Sequence, residues 1–526
     1  MKYKDLHAAF FQFPFHKKKF IGIISVCLLT VCFTLPAAAN DDVPLQTGNS
    51  KQIIKQAEKL ARKSKLEEAE KILRGVVERN QNESRAKLVL SYVLLKQHRL
   101  LEAYDYSHQV AKDEPKNSYA FAVLGAILLN AGNFRDAKLS FFNSIKLNNR
   151  EALAWSGLGM LDFYENRISQ GLDNLREAVY LEPQEPDYTY ALAQVAARAE
   201  NYKEAAAAYK RFLQMAPQTD TERRDRIKGL INFLGFLGER QSLYNVDGAK
   251  QTVVPVKLFN DRPIIQIRFG KTDEPLNFVL DTGSGISVIS DETARRMKIK
   301  PITRGGLARG IGGNGKFEIV YGFLPVIHIG EVKIKNVPIY IRKFHSQNEQ
   351  VDGYIGLSLI SKFLTTIDYG EATFTLINQD SIQRKPVEDE SLSLPLRLTS
   401  SGFLSGEVQL EGVQVPLNFI VDTGASVSVI SDDLAGSKEI SPFIKTETMR
   451  VIGAAGVTEN VRSFLLPRIS FGDHSRKSIT AIALDLDLIN ETAGFEQAGI
   501  LGGNFLKNYR LTFDFPNSKV VFVPVK

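Results

Sequence analysis

Residues 275–290 are PLNFVLDTGSGISVIS, and residues 416–431 are PLNFIVDTGASVSVIS. Nearly the same sixteen residues therefore occur twice, 141 positions apart, each time around Asp-Thr-Gly. The side chains that could do chemistry in this phrase are the two aspartates, Asp281 and Asp422. A lone Asp-Gly is an ordinary turn signal. Two carboxylates a few ångströms apart are another matter. They cannot comfortably both ionise, so they share a proton and can act as base and acid in one step. Their titration belongs to the pair, and the sequence assigns neither aspartate to the base role. Such a pair needs each aspartate at the boundary between two folded units. Gly283 and Gly424 would allow the tight turn and leave room for the neighbouring unit. Leu280 and Val421 are expected to anchor the two loops in β-type cores.

The duplication runs beyond the phrase. At the same offset, Arg309, Ile311, Gly312 and Gly315 fall on Arg450, Ile452, Gly453 and Gly456 without a gap. Tyr354-Ile355-Gly356 falls on Ile500-Leu501-Gly502 at an offset of 146. Leu359, Ile360, Phe363 and Asp368 fall on Phe505, Leu506, Tyr509 and Asp514 at that offset, so the second copy has gained five residues (146 − 141). GIGGNG at 310–315 lacks the helix-forming run and the Gly-Lys-Ser/Thr of a phosphate loop, and is expected to be a β-hairpin tip. The seven histidines show no zinc-like spacing. There is no G-x-S-x-G elbow. Asp485 and Asp487, in LDLDL, are expected to alternate along a strand and face solvent. No metal and no cofactor is expected.

Apolar-apolar-Asp-Thr-Gly, then a glycine-rich hairpin, then apolar-apolar-Gly, occurring twice across 252–526, resembles the aspartic peptidases. More specifically, it resembles the retroviral-type (retropepsin-like) lobe repeated in one chain, with the pairing of pepsin-like enzymes. The resemblance covers about half the chain. It implies two homologous all-β lobes, 252–380 and 392–526, separated by the charged connector QRKPVEDES at 383–391. It implies catalysis by Asp281 and Asp422 on a protein or peptide substrate. Thr282 and Thr423 would hydrogen-bond across the axis between the loops, with Gly283, Ser284, Gly424 and Ala425 supporting the pair. Ile311, Gly312 and Gly313 would form a flap over an extended substrate, and Ile452, Gly453, Ala454 and Ala455 a second. The first tip is richer in glycine and the better candidate. Ile355, Gly356, Leu501 and Gly502 would brace the aspartate loops. A hydroxyl at Ser284 is expected to donate to Asp281, which Ala425 cannot do for Asp422, giving a mildly acidic optimum. Two departures stand out. Gly285 and Ser426 occupy the place where a retroviral-type lobe often has aspartate, and Leu357-Ser358 replaces a common polar pair. Two other readings stay open: an adaptor whose lobes bind extended peptide without cleaving it, and a homodimer pairing equivalent lobes of two chains.

Upstream the periodicity changes. Small residues recur every 34 positions at Ala69, Ala103, Ala137, Gly171 and Ala205. Leu90-Ser91, Leu124-Gly125, Leu158-Gly159 and Leu192-Ala193 keep the same step, and Pro115, Pro183 and Pro217 close their blocks. This pattern resembles the tetratricopeptide repeat, implying an all-α solenoid of stacked helix pairs over 50–240. Trp155 is expected in its core. The concave groove is a candidate site for a protein partner. A further amphipathic helix near 221–239 should cover the last repeat, and a polar linker is expected at 240–252.

Composition sets the rest. A hydrophobic content of 44% and a charged content of 24% are those of a globular chain. The net charge is +7, but residues 1–39 carry five lysines against one aspartate, leaving about +3 (7 − 4) elsewhere, so nucleic-acid binding is not expected. Lys17-Lys18-Lys19 precedes an apolar run from Phe20 to Leu35, and Ala37 and Ala39 make an A-x-A site. Residues 1–39 are thus expected to be a signal peptide of a periplasmic or secreted protein. Membrane contact is expected only if that segment stays uncleaved. Both cysteines, Cys27 and Cys32, lie within it, so the mature chain would have neither disulfide nor thiol chemistry.

Overall fold

The computed structural model describes residues 50–217, 221–240, 243–270, 274–345, 351–381 and 392–525. Residues 1–39, expected to be a signal peptide, and the connector expected at 383–391 lie outside them. Among the described residues no helix is long and apolar enough to cross a membrane.

The repeat period becomes helix spacing. Helices Ser50–Arg62, Ser84–Lys96, Ser118–Asn130, Ala152–Tyr164 and Pro186–Arg198 begin 34 residues apart, and each is followed by a second, antiparallel helix. The small residues sit where the two helices of a pair meet. A methyl added to Gly171 would stand 2.8 Å from the carbonyl oxygen of Gly159. Trp155 is half-buried against the solenoid core and donates its Nε1–H to the Asn149 carbonyl at 2.8 Å.

Two β lobes follow. In each, the strand leading into Asp-Thr-Gly lies inside a large sheet, Leu276–Leu280 in one and Leu417–Val421 in the other. A third, six-stranded sheet is shared, with Gln251–Pro255, Phe363–Asp368 and Thr373–Asn378 from lobe 1 and Ser393–Pro395, Tyr509–Asp514 and Lys519–Pro524 from lobe 2. At its centre Phe363–Asp368 pairs antiparallel with Tyr509–Asp514, and Thr366 lies opposite Thr512 with their hydroxyls 2.9 Å apart. These are equivalent residues of the two copies, so the local two-fold axis passes between them.

Two sequence expectations are corrected. The polar linker at 240–252 is partly β structure: Asn245–Gly248 pairs with Val332–Arg342, and Gln251–Pro255 forms the edge of the shared sheet. Its signal is a period-2 alternation, with Thr252 and Val254 buried between exposed neighbours. Asp485 and Asp487 do not alternate along a strand. The strand ends at Leu484, Asp485 accepts the Asp487 N–H at 2.8 Å, and a short helix, Asp487–Ala493, follows. That helix lies in the stretch where the second copy is longer than the first.

The repeats also touch both lobes. Helix Thr221–Gly238 covers the last repeat as expected, and its other side packs on lobe 1. Phe233 stacks on Tyr321 with ring centres 4.4 Å apart, and Glu200 pairs with Lys362. On lobe 2, Phe134 meets Phe495 edge-on at 4.9 Å, and the Glu496 N–H donates to the Asn130 carbonyl at 2.8 Å.

Candidate active site

The two Asp-Thr-Gly loops meet at the lobe boundary. Leu280 lies beside Ile355, and Val421 beside Leu501, in parallel strand pairs. The ladders continue into the loops: Asp281 N–H donates to the Ile355 carbonyl and Asp422 N–H to the Leu501 carbonyl, both at 3.0 Å. Gly356 N–H donates to Ser287 Oγ and Gly502 N–H to Ser428 Oγ, both at 3.1 Å. Ser287 and Ser428 were not singled out in the sequence, although the repeated phrase carries them at the same position. In lobe 2, Asn504 adds a second brace, accepting from Ser428 Oγ at 2.8 Å and donating to the Thr480 carbonyl at 2.7 Å.

The fully buried threonines lock the loops together. Thr282 Oγ1 donates to the Val421 carbonyl at 2.6 Å, and Thr423 Oγ1 to the Leu280 carbonyl at 2.7 Å. Each hydroxyl also accepts the other's backbone N–H, at 3.1 and 3.2 Å. Four reciprocal bonds leave the loops no room to slide.

This exchange brings the carboxyl groups of Asp281 and Asp422 within hydrogen-bonding reach of each other. Burial pushes both up. On Asp281 the Asp422 carboxylate adds to the push and carries it well above the usual carboxylate range. On Asp422 burial is opposed by hydrogen bonds, from Asp281 and from backbone N–H groups. Asp422 Oδ1 accepts from Gly424 at 2.8 Å and Ala425 at 3.2 Å, whereas Asp281 accepts from Gly283 at 2.9 Å. More donors face Asp422, so the shared proton rests better on Asp281.

Ser284 does not play the part expected of it. Its hydroxyl donates to the Ile286 carbonyl at 2.9 Å instead of to Asp281. An acceptor two residues along the same turn captures it.

Both glycine-rich segments are hairpin tips, and they touch. Strands Thr303–Arg309 and Lys316–Ile329 carry the first, and Ile444–Gly453 and Gly456–Phe471 the second. Ala455 N–H donates to the Ile311 carbonyl at 2.9 Å. A methyl on Gly312 would stand 2.2 Å from the Gly456 carbonyl oxygen, and one on Gly453 2.2 Å from that of Ile311. The second hairpin is thus as fully formed as the first.

Tips and dyad line one cavity of about 2390 Å³. Residues of the helical repeats, including Met160, Tyr164, Tyr190, Gln194 and Arg198, line the same cavity. Repeat residues and the aspartates therefore share one cavity. Among the described residues no three His, Cys, Asp or Glu side chains gather as a metal site would need.

Residues 265–359 and 406–505 match the aspartyl protease family model. Each lobe is aspartyl protease-like. Residues 156–219 match a tetratricopeptide repeat model. No curated protein sequence matches the chain. Among solved structures, the aspartic proteinase from Irpex lacteus is 14% identical, with a TM-score of 0.36, covering 52% of this chain and 98% of that one. A thermophilic TPR protein of Thermus thermophilus is 18% identical, with a TM-score of 0.30, covering 35% of this chain and 99% of that one. The chain thus joins a helical repeat region to two protease-like lobes, and the repeats are of a kind suited to protein contact.

Proposed function

We propose that the protein is an exported aspartic endopeptidase that hydrolyses peptide bonds with the Asp281–Asp422 pair and an activated water. One observation carries the reading: two buried carboxyl groups face each other at the lobe boundary, in a cavity that both hairpin tips also line. Asp422, favoured as the anion by its backbone donors, takes a proton from water as the water attacks the carbonyl carbon. Asp281 gives its proton to the carbonyl oxygen, so the tetrahedral intermediate forms without net charge transfer to solvent. The intermediate collapses as Asp422 gives its newly acquired proton to the leaving nitrogen, the C–N bond breaks, and Asp281 takes a proton back from a hydroxyl of the gem-diol as the carboxyl product forms. The tips exclude water and offer backbone groups to a strand-like substrate.

The helical wall makes the same cavity a passage for unfolded chain, so the repeats act on the substrate itself. Export to the periplasm or outside the cell is part of the proposal and rests on the N-terminal segment. The test is to express residues 40–526 and follow cleavage of an unstructured protein, with and without a transition-state-like inhibitor of aspartic peptidases. Inhibitable cleavage supports the reading. Tight binding of the same protein without cleavage would replace it with a peptide-binding adaptor.

A further inference from the structure

The lobes are copies, so the two ends of a bound chain can be told apart only where equivalent cleft residues differ. Arg342 and Leu484 are such a pair. Arg342 lies beside Ser290 in the parallel strand register of lobe 1, and Leu484 lies beside Ser431 in that of lobe 2. Ser290 and Ser431 are the last residues of the duplicated phrase, which fixes the equivalence. Both Arg342 and Leu484 line the cavity that holds the dyad.

Their surroundings differ as much as they do. The Arg342 guanidinium has three rings around it, Phe344 at 4.8 Å, Phe317 at 5.5 Å and Tyr354 at 5.6 Å from the ring centres. Its hydrogen bonds run through one terminal nitrogen, to the Ala454 carbonyl at 3.2 Å and the Lys343 carbonyl at 3.4 Å. Among the described residues no carboxylate forms an ion pair with it. It is close enough to Asp281 to act on it electrostatically. Leu484 instead packs in an apolar cluster with Ile420, Val429, Ile482 and Ile500, and Ile500 takes the place of Tyr354. Aromatic faces offset part of the cost of taking a guanidinium out of water, but a counter-charge offsets more. Carbonyl oxygens supply none.

We propose that Arg342 and its three rings form a subsite for a carboxylate of the bound chain, either an acidic side chain or a chain terminus. Leu484 and its cluster form the apolar subsite across the dyad. The proposal rests on the peptidase reading, and it names the substrate class: chains with an acid on the lobe 1 side of the cut and an apolar residue on the other. A planar guanidinium fork suits this role because it can take both oxygens of a carboxylate at once.

The experiment uses the full chain and a panel of fluorogenic peptides with Glu, Gln or Leu placed in turn at each position around the cut. A parallel set carries a free or an amidated C-terminus. Wild-type kcat/KM should favour Glu over Gln at one position by about 10- to 100-fold. A preference confined to the free-acid set would assign the site to a terminus instead. Arg342→Leu should bring that ratio near one, and Arg342→Lys should retain part of it. If Arg342 only ties down the tip at Ala454, Arg342→Leu lowers every peptide alike and leaves the ratio unchanged, which overturns the proposal. A wild-type protein indifferent to acids at every position and at the terminus overturns it with no variant needed. If no peptide is cleaved, the same ratio is read as Kd by fluorescence anisotropy. A Glu preference there keeps the subsite and removes the peptidase, and indifference removes both.

Discussion

A methyl group added to Gly283 would stand 2.4 Å from the carboxyl carbon of Asp422, and one added to Gly424 would stand 2.7 Å from Oδ1 of Asp281. The motif glycine of each loop is therefore the floor on which the other loop's acid rests. Glycine is needed here for space, because a side chain would push the two carboxyl groups apart.

Gly283→Ala should therefore leave the chain folded but lower kcat by on the order of 100-fold, the usual cost of a reacting group displaced by about 1 Å. Circular dichroism and steady-state kinetics on the same preparation decide it. A variant with kcat within about threefold of wild type would mean that the loops have slack.

Asp281→Asn and Asp422→Asn should each abolish cleavage, and their stabilities should respond to pH in a defined sense. Folding raises the Asp281 pKa well above its ordinary value. A raised pKa contributes stability that is fully present below the unfolded value, about 3.9, and is lost as pH rises through the folded one. At neutral pH the wild type thus carries a penalty that an amide does not. Asp281→Asn should melt above wild type at pH 7–8, with the gap closing toward about pH 4. Asp422→Asn should gain less, because backbone N–H groups already favour its anion. Thermal melts of the three proteins across that range test the order, and equal melting curves at pH 8 would count against the buried pair.

The duplicated phrase made the loops legible because two copies answer to one constraint: the glycines, the threonines and the tips each recur where the geometry needs them twice. What escaped depended on direction and register. Nothing in the sequence says that Ser284 turns to the Ile286 carbonyl, since both acceptors lie within two or three residues of it. The helix near 221–239 is apolar on two sides, burying Ile227 and Ile231 with the repeats and Phe233 and Leu237 with lobe 1. Its pattern shows burial without naming the second neighbour. The pairing of Arg342 with Leu484 appears only once strand registers are known. The same holds for the closeness of the repeat groove to the dyad.

Ser284→Ala follows from the first of these. With its hydroxyl committed to Ile286, its loss should leave the kcat/KM profile against pH superimposable on that of wild type. A shift of the acid limb by more than about half a unit would show that the hydroxyl reaches Asp281 in solution.

The junction between repeats and lobe 1 makes a separate prediction. A methyl on Gly229 would stand 2.2 Å from the Arg304 carbonyl oxygen, backbone against backbone, where no rotamer change relieves the clash. Gly229→Val should separate the helical region from lobe 1 while leaving each folded, so one calorimetric transition becomes two. Repeat contacts are local, which lets the solenoid survive alone. A single transition at the wild-type temperature would show that the helix Thr221–Gly238 shifts without cost.

Glu496 extends the argument to the junction with lobe 2. Its N–H donates to Asn130, and its carboxyl accepts from Asn490 Nδ2 at 3.2 Å. Burial, with Asp487 and Asp433 adding to it, pushes that carboxyl up to about 7. The unfolded value is about 4.3. Below that pH both states hold the proton and the contribution is complete. Between about 4.3 and about 7 only the folded state holds it, so wild-type stability falls with rising pH, and above about 7 the loss is finished. Glu496→Gln removes the titration and keeps the hydrogen-bonding shape. Its stability relative to wild type should be near zero at about pH 4, rise through the window, and level off above about pH 8, by at most about 4 kcal/mol. Urea melts of both proteins at four pH values measure the curve. A difference that is flat from pH 4 to 8 would place the Glu496 carboxyl in water, and the contact between repeats and lobe 2 would then be looser than drawn.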